Sequence, residues 1–441
     1  MSDDLEGRPL RRRMAGTFRS LKGYNYRMWA AGALVSNVGT WMQRTAQDWI
    51  VLTHLTNNNA TAVGVVMALQ FGPPLLLLPL TGAAADRFDL RKLLFATQAA
   101  LGALALGLGV LTLTGVVQLW HVYVFAFLLG CVTAFDAPAR HTFVSELVEE
   151  ADVSNAVALN STSFNAARMI GPASAGILIA AVGSGWVFLL NAVSFVAVLG
   201  SLSLIRTGEL RRKDRSTSSG GSFVDGLRYL RGRPDLQVIL AMLFLIGTFA
   251  LNFPIFISAM AVSVFREGSG EYGLLTSTMA VGSVAGALLA AGREKPRLAL
   301  LLTGAAILGF GLALAAVMPN SVLFGLALVA VGVSAQTFTT TANSAVQLGA
   351  DPQMRGRVVA IYLAILMGGT PLGAPIVGWV ADTFGPRWSL ATGAASALGA
   401  AILGVHYLVR YRGLRPGVVL RQFFHGRPPG TTGTDVDQRA R

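Results

Sequence analysis

Charged residues are scarce in this chain. Of its 441 residues, 13% are Asp, Glu, Lys or Arg and 53% are hydrophobic. Soluble globular proteins carry about 25% charged residues. The composition therefore excludes an ordinary soluble protein and predicts an integral membrane protein.

Cysteine and catalytic motifs are scarce as well. The single cysteine, Cys131, excludes an intramolecular disulfide and a cysteine metal cluster. The sequence contains no Gly-x-x-x-x-Gly-Lys-[Ser/Thr] phosphate loop, no Gly-x-Ser-x-Gly elbow and no His-Glu-x-x-His pair, and its five histidines are scattered. We therefore expect no cofactor, no metal and no enzymatic activity, and we expect any transport to draw on an ion gradient or on the substrate's own gradient.

The excess of basic residues gives a formal net charge of +13. These cations lie in the tails and in short loops, which favours the positive-inside rule over a nucleic-acid-binding patch. The first apolar segment is longer than a signal-peptide core and is interpreted as a retained helix. We therefore predict a multi-pass protein with both termini in the cytoplasm and no nucleic-acid partner.

Long apolar segments predict an all-α membrane protein with twelve transmembrane helices in two six-helix halves. The predicted division is a basic cytoplasmic tail (1–27), a first half (28–205), a basic cytoplasmic linker (206–233), a second half (234–411) and a disordered cytoplasmic tail (412–441). The predicted helices cover 28–55, 61–85, 93–117, 120–140, 156–182, 186–205, 236–265, 272–292, 298–318, 321–343, 358–382 and 388–410.

A short charged turn separates the second and third predicted helices. It runs from Asp86 to Lys92, contains Arg87 and Arg91, and comes just after Gly82. This pattern resembles the loop 2–3 signature of the major facilitator superfamily, although Asp89 stands where that signature usually has a second glycine and Leu90 where it usually has a cation. The resemblance implies two six-helix halves around a central cavity. We predict that Gly82, Asp86, Arg87 and Arg91 form a conformational latch on the cytoplasmic side, because Asp86 at a helix end can pair with cations of another helix when the protein is open outward.

The fifth predicted helix contains a Gly-Pro step, Gly171-Pro172, with Gly176 following. It resembles a superfamily signature associated with exporters that exchange substrate for protons. Pro172 removes one helical hydrogen bond, and the glycines allow close packing and bending. Ordinary helix packing is the alternative interpretation.

Ionisable residues inside predicted spans mark possible functional sites, because an intramembrane charge is costly. Arg44 and Asp48 are four residues apart and share one face of the first helix. Arg168 lies near the middle of the fifth helix. We predict that these residues line the cavity and take part in proton coupling, with Arg168 pairing with an aspartate or with an anionic substrate; a structural ion pair is the alternative for Arg168. Asp48 lies about 30 Å along the helix from residue 28, which places it near the outer interface and counts against it as a proton carrier.

Asp136 and Arg140 repeat the same spacing at the inner end of the fourth helix. They are further candidates for proton coupling, and a cytoplasmic gate or loop anchor is the alternative interpretation.

The runs around Arg44 and Asp48, around Asp136 and Arg140, and around Arg168 together resemble one branch of the superfamily. This branch contains the enterobactin exporter and macrolide efflux proteins, also called transmembrane secretion effectors. The resemblance implies proton-coupled export of a small hydrophobic or amphipathic compound, drug-like or siderophore-like, by a monomer in the bacterial plasma membrane. The expected partners are therefore a small-molecule substrate, protons and membrane lipid.

Two alternative functions are also compatible with the sequence. Flipping of a lipid or lysolipid would need a lateral opening rather than a proton site. A non-transporting receptor or assembly protein could use the basic linker and tail as docking surfaces, although several buried ionisable residues argue against a passive scaffold.

Overall fold

The computed structural model describes residues 18–77, 80–81, 84, 88–211, 223–291 and 298–412. Within these ranges the chain is helical and contains no β-strand. Twelve helices form one bundle. They are α1 (Tyr24–Ile50), α2 (Ala60–Leu76), α3 (Leu90–Leu113), α4 (Leu119–Glu146), α5 (Val153–Val182), α6 (Ser184–Leu204), α7 (Pro234–Leu245), α8 (Ser269–Ala291), α9 (Leu298–Val317), α10 (Ser321–Gly349), α11 (Arg355–Phe384) and α12 (Pro386–Arg412).

In the described residues, ten of these helices are long and apolar enough to cross a membrane. This count takes α7 together with its continuation to Phe265 as one span. A helix satisfies its own backbone groups, which is why it can cross hydrocarbon that offers no water to bond them. The described part of α2 is a shorter apolar helix. α1 has the length but is more polar, and many of its polar side chains, including Ser36, Asn37, Gln43 and Gln47, are buried in the protein. The polarity of α1 therefore reflects its position inside the bundle.

The two halves, α1–α6 and α7–α12, repeat one packing scheme. In the first half α3 packs against α4 and α6, and α1 packs against α6. In the second half α9 packs against α10 and α12, and α7 packs against α12. The predicted fold class, an all-α membrane protein with two six-helix halves, is confirmed.

The halves meet along two helix pairs, α2 with α11 and α5 with α8. We call the end of the bundle with the α1–α2 and α11–α12 turns the far face, and the opposite end the basic face. Close to the far face, a Cβ atom on Gly378 of α11 would lie 2.5 Å from the carbonyl oxygen of Ala60. A Cβ on Gly176 of α5 would lie 2.5 Å from the carbonyl oxygen of Ser269. Because small residues let helix backbones touch, the halves are closed against each other at the far face.

α7 is interrupted, whereas the sequence predicts one helix over 236–265. A π-helical turn, Ile246–Ala250, follows α7, and the chain then continues as a short helix, Phe253–Ala259. Pro254 lacks a backbone N–H and so favours a helix start after the break. The buried Asn252 side chain donates to the carbonyl oxygen of Thr248 at 2.6 Å and satisfies one backbone group at the interruption.

Several helices are longer than the apolar segments that predicted them. α1 begins at Tyr24 rather than at 28, because polar residues tie its first turn to other elements: the Tyr26 hydroxyl donates to the carbonyl oxygen of Ala156 at 2.8 Å. α4 continues to Glu146 and α10 to Gly349, beyond the predicted ends at 140 and 343. Hydropathy marks where the hydrocarbon ends and not where the helix ends, which explains these differences.

The predicted linker, 206–233, contains a helix at Phe223–Arg231, which lies against α11 near Arg357. The rest of the linker from 212 to 222, and the predicted disordered tail beyond residue 412, lie outside the described residues.

Candidate functional site

A cavity of about 220 Å³ lies between the two halves. α1, α2 and α5 form one wall, and α8, α11 and the helix Phe253–Ala259 form the other. The wall from the first half carries all the ionisable groups of the cavity except the Tyr272 hydroxyl; these groups are Arg44, Asp48 and Arg168. The three intramembrane charges that the sequence predicts separately on α1 and α5 are therefore brought together in one cavity.

Arg44 is held by aromatic rings. Its guanidinium carbon lies 5.1 Å from the centre of the Trp41 ring and 5.6 Å from the centre of the Phe71 ring. Such cation–π contacts attract the charge without using the N–H donors at the edge of the guanidinium group. The Arg44 Nε atom is buried and has no hydrogen-bond partner within the described residues.

Asp48 lies one helical turn after Arg44 and is 9% exposed. The hydroxyl of Tyr272, on α8, donates a long hydrogen bond to Asp48 Oδ2 at 3.4 Å. Beside this contact the Tyr272 ring stacks on Trp49, with 5.9 Å between ring centres. The carboxyl group thus belongs to one half and its hydrogen-bond partner to the other.

Arg168 reaches the same cavity from α5. Its Nε and Nη2 atoms are buried and have no hydrogen-bond partner within the described part of the chain. The structural ion pair considered as the alternative for Arg168 is not among the ion pairs of the described residues.

Asp136 and Arg140 occupy a different environment. They line a second cavity, of about 330 Å³, inside the first half, and Arg44 lines this cavity too. Asp136 Oδ2 accepts from Arg140 Nη2 at 2.9 Å, and Oδ1 accepts from Thr97 Oγ1 at 2.7 Å and from Gln98 Nε2 at 2.6 Å. Asn37 Oδ1 accepts from Arg140 Nη1 at 3.2 Å. Both members of this pair are bonded, and they tie α1, α3 and α4 together.

The Gly-Pro signature lies where α5 meets other helices. A Cβ on Gly171 would lie 2.6 Å from Cβ of Trp41 on α1. The carbonyl oxygen of Pro172 and the backbone of Gly176 lie against α8, where Gly273 offers no side chain. Gly171 therefore packs closely against α1 within the first half, whereas Pro172 and Gly176 pack closely against α8 of the second half.

Of the predicted latch, Gly82, Asp86 and Arg87 lie outside the described residues. Arg91 is described: its Nε donates to the carbonyl oxygen of Leu202 at 2.8 Å and its Nη2 to that of Ser203 at 3.3 Å. Arg91 therefore binds free carbonyl groups at the end of α6, where a cation is favourable.

Sequence reasoning missed Asp382. This residue of α11 accepts hydrogen bonds from the backbone N–H groups of Ala60 and Thr61, at 2.7 and 2.8 Å, and from the Thr61 hydroxyl at 2.5 Å. It thereby caps the first turn of α2 in the other half. The sequence does contain one indication of this contact. A carboxylate near a helix C-terminus destabilises its own helix, so it is expected to bind a partner outside that helix. Tyr272 was also missed, and no pattern in the sequence singled it out.

Among the described residues, no group of three or more His, Cys, Asp or Glu side chains could hold a metal ion. The chemistry of the site is that of two guanidinium groups, a carboxyl, a phenol and aromatic surface, which can bind a small molecule and exchange protons.

Two helical halves around a cavity that is closed at one face define a multi-pass membrane transporter of the major facilitator type. A bacterial homolog to the human lysosomal transporter Spinster, solved in an inward-facing and unoccupied conformation, superposes with a TM-score of 0.65. At 14% identity it covers 92% of this chain and 99% of its own, and it shows the fold alone.

Residues 15–414 match the transmembrane secretion effector family, and the chain belongs to that family. It is 26% identical to the staphyloferrin A transporter of Staphylococcus aureus over 79% of this chain and 87% of that protein. It is 28% identical to the multidrug efflux pump Tap of Mycolicibacterium fortuitum over 85% of this chain and 92% of that protein. The predicted family is confirmed.

Proposed function

We propose that the protein is a secondary active transporter that exports a small amphipathic compound in exchange for protons by alternating access. The observation that carries the proposal is the cavity between the halves, with the buried Asp48 on one wall and its partner Tyr272 on the other. Separation of the halves would remove the Tyr272 contact and change the surroundings of the carboxyl group. A proton carrier that is linked to conformational change needs such a difference in its surroundings between the two states.

Asp48 suits this role better than Asp136. The Asp136 carboxylate accepts hydrogen bonds from three side chains within one half, so a rearrangement between the halves would leave its bonds intact. Asp48 faces Arg44 on its own helix, Tyr272 on α8 and the shared cavity that Arg168 also lines. We therefore assign proton exchange to Asp48. To Asp136 and Arg140 we assign a structural role, which is to anchor the helices of the first half that surround Asp48.

Alternating access would separate α2 from α11 and α5 from α8 at the far face. The basic residues at the other face support a cytoplasmic position for that face and for both termini. On this assignment the closed far face is the outer face, and the described conformation is inward-facing. In the outward-open state the residues Gly82, Asp86, Arg87 and Arg91 would act as the inner latch.

The relatives support export as the direction. One is named as the staphyloferrin A transporter and another as the multidrug efflux pump Tap, and the second name supports outward transport. The bacterial origin of these relatives supports a place in the bacterial plasma membrane. One chain supplies both walls of the cavity, which supports a working monomer.

The test uses purified protein in liposomes that enclose a pH-sensitive dye. Addition of a panel of lipophilic drugs and siderophores should drive proton movement with the wild type. The movement should be lost in Asp48→Asn and kept in Asp136→Asn, provided that each variant elutes as folded protein.

Asp351→Asn serves as a control, because Asp351 is exposed at the basic face. Full proton movement in Asp48→Asn would refute the assignment of Asp48. Substrate movement with no proton signal in any variant would refute proton coupling and favour lipid flipping or a uniporter.

A further inference from the structure

The cavity between the halves holds an excess of positive charge. Among the described residues that line it, Arg44 and Arg168 contribute two guanidinium groups and Asp48 contributes the one carboxyl group. A guanidinium is charged at any ordinary pH, so Asp48 can balance at most one of the two. If Asp48 takes up a proton, neither cation is balanced by the lining.

Neither guanidinium has its donors satisfied. Arg44 Nε and Arg168 Nε and Nη2 are buried without a hydrogen-bond partner in the described part of the chain. A buried donor without a partner is costly, and native structures rarely keep one without a reason. Arg140 is the internal comparison: it lies on the same half, and its donors reach Asp136 and Asn37.

The remaining surface of the cavity is suited to an apolar body. Phe253, Pro254, Ile257 and Met279 line the wall of the second half, opposite the two arginines. On the first half, the rings of Trp41 and Phe71 hold the Arg44 guanidinium while leaving its edge free. One wall therefore presents cationic donors and the other a hydrophobic face.

We propose that the cavity takes an amphipathic organic anion, with a carboxylate between Arg44 and Arg168 and its apolar part against Phe253 and Ile257. This inference rests on the proposed transport function and specifies its substrate class. Arginine matches a carboxylate with two parallel N–H donors, so one anionic group can satisfy the buried donors that the protein leaves unbonded. The negative charge of the ligand also balances the surplus cation.

The experiment measures equilibrium binding to the purified full-length protein in nanodiscs by isothermal titration calorimetry. The probes are four matched pairs, each an aryl or alkyl carboxylic acid and its primary amide, beginning with 1-naphthaleneacetate and 1-naphthaleneacetamide. Members of a pair have nearly the same shape and differ in charge. We expect the wild type to bind the acid of at least one pair about tenfold more tightly than the amide, the effect expected for a hydrogen bond to a charged group.

Arg44→Gln and Arg168→Gln should each remove most of this preference and leave amide binding within about twofold. Arg355→Gln is the matched control, because Arg355 is exposed at the basic face and should keep the full preference. The comparison of acid with amide on the wild type stands even if a variant fails to fold.

The absence of any preference for the acid in all four pairs would overturn the proposal. A preference that survives in both arginine variants would also overturn it, because the anion would then bind elsewhere. Binding does not depend on proton movement. Acid-selective binding without proton movement in liposomes would support the anion site and refute proton coupling. Proton movement driven only by neutral or cationic compounds would support proton coupling and refute the anion site.

Discussion

The hydroxyl of Tyr272 on α8 lies 3.4 Å from Oδ2 of Asp48 on α1, so one hydrogen bond crosses from the second half of the protein to a buried carboxyl of the first. The two residues are 224 positions apart in the chain. In the proposed alternating-access mechanism the two halves move relative to each other, so this contact would couple the surroundings of Asp48 to the conformation of the whole protein.

Tyr272→Phe tests that contact. The variant removes the hydroxyl and keeps the ring that stacks on Trp49, so we expect folding to be preserved, with a loss of about 0.5–1.5 kcal/mol in stability. We expect substrate-driven proton movement in liposomes to slow severalfold. Tyr123→Phe is the control, because Tyr123 lies on α4 outside the linings of both cavities. Equal proton movement in Tyr272→Phe and the wild type would show that the hydroxyl has no part in coupling.

Asp382→Ala tests the closure of the far face. The carboxylate binds the first backbone N–H groups of α2, and loss of a helix cap costs about 0.5–2 kcal/mol. If the closed state alone has this cap, the ratio of closed to open molecules should fall by up to roughly thirtyfold. Spin labels at Val116→Cys and Val322→Cys, both exposed near the far face of opposite halves, report the change by electron paramagnetic resonance after Cys131→Ser replacement.

We expect the distance distribution between these labels to broaden and lengthen in Asp382→Ala. The control is Asp351→Ala, whose carboxyl group lies at the basic face. An unchanged distribution in Asp382→Ala would mean that the cap does not hold the halves together.

Gly273→Ala tests the backbone contact between α5 and α8. A Cβ at this position would overlap the carbonyl oxygen of Pro172 on the other half, so the two helices would have to move apart. Overpacking of this kind typically costs about 1–3 kcal/mol. Here it would destabilise the closed conformation relative to the open one. We expect a lower melting temperature in detergent and a shift of the same spin-label distances toward the open state.

Gly200→Ala on α6 is the matched control, because a Cβ there meets nothing within 4 Å. It should leave both readouts unchanged. A normal melting temperature and normal distances in Gly273→Ala would contradict the close approach of these helices.

Some features of the site follow from the sequence because they are local. Arg44 and Asp48 share a face since four residues make about one helical turn, and Arg168 lies deep because of its distance from the ends of an apolar segment. The charged pair Asp136 and Arg140 follows from the same spacing, and its hydrogen bond is present. The interruption of α7 was missed, because its proline and asparagine also fit a kinked but continuous membrane helix.

Other features could not follow from local patterns. Asp382 and Ala60 are 322 positions apart, and nothing near either residue specifies the other. Asp48 and Asp136 have similar sequence surroundings, each with an arginine four positions away. The difference between them arises from neighbours on other helices: Thr97 and Gln98 bond Asp136, whereas the cavity and Tyr272 face Asp48.

The sequence by itself determined the membrane environment, the division into two six-helix halves and the membership of a transporter family, because each depends on segment length, hydropathy or a local motif. Only the tertiary structure decided which charges are satisfied and which face a cavity, and at which end the halves are closed. Those properties depend on which helices lie side by side. That is set by the packing of small residues such as Gly176 and Gly378 against distant backbone.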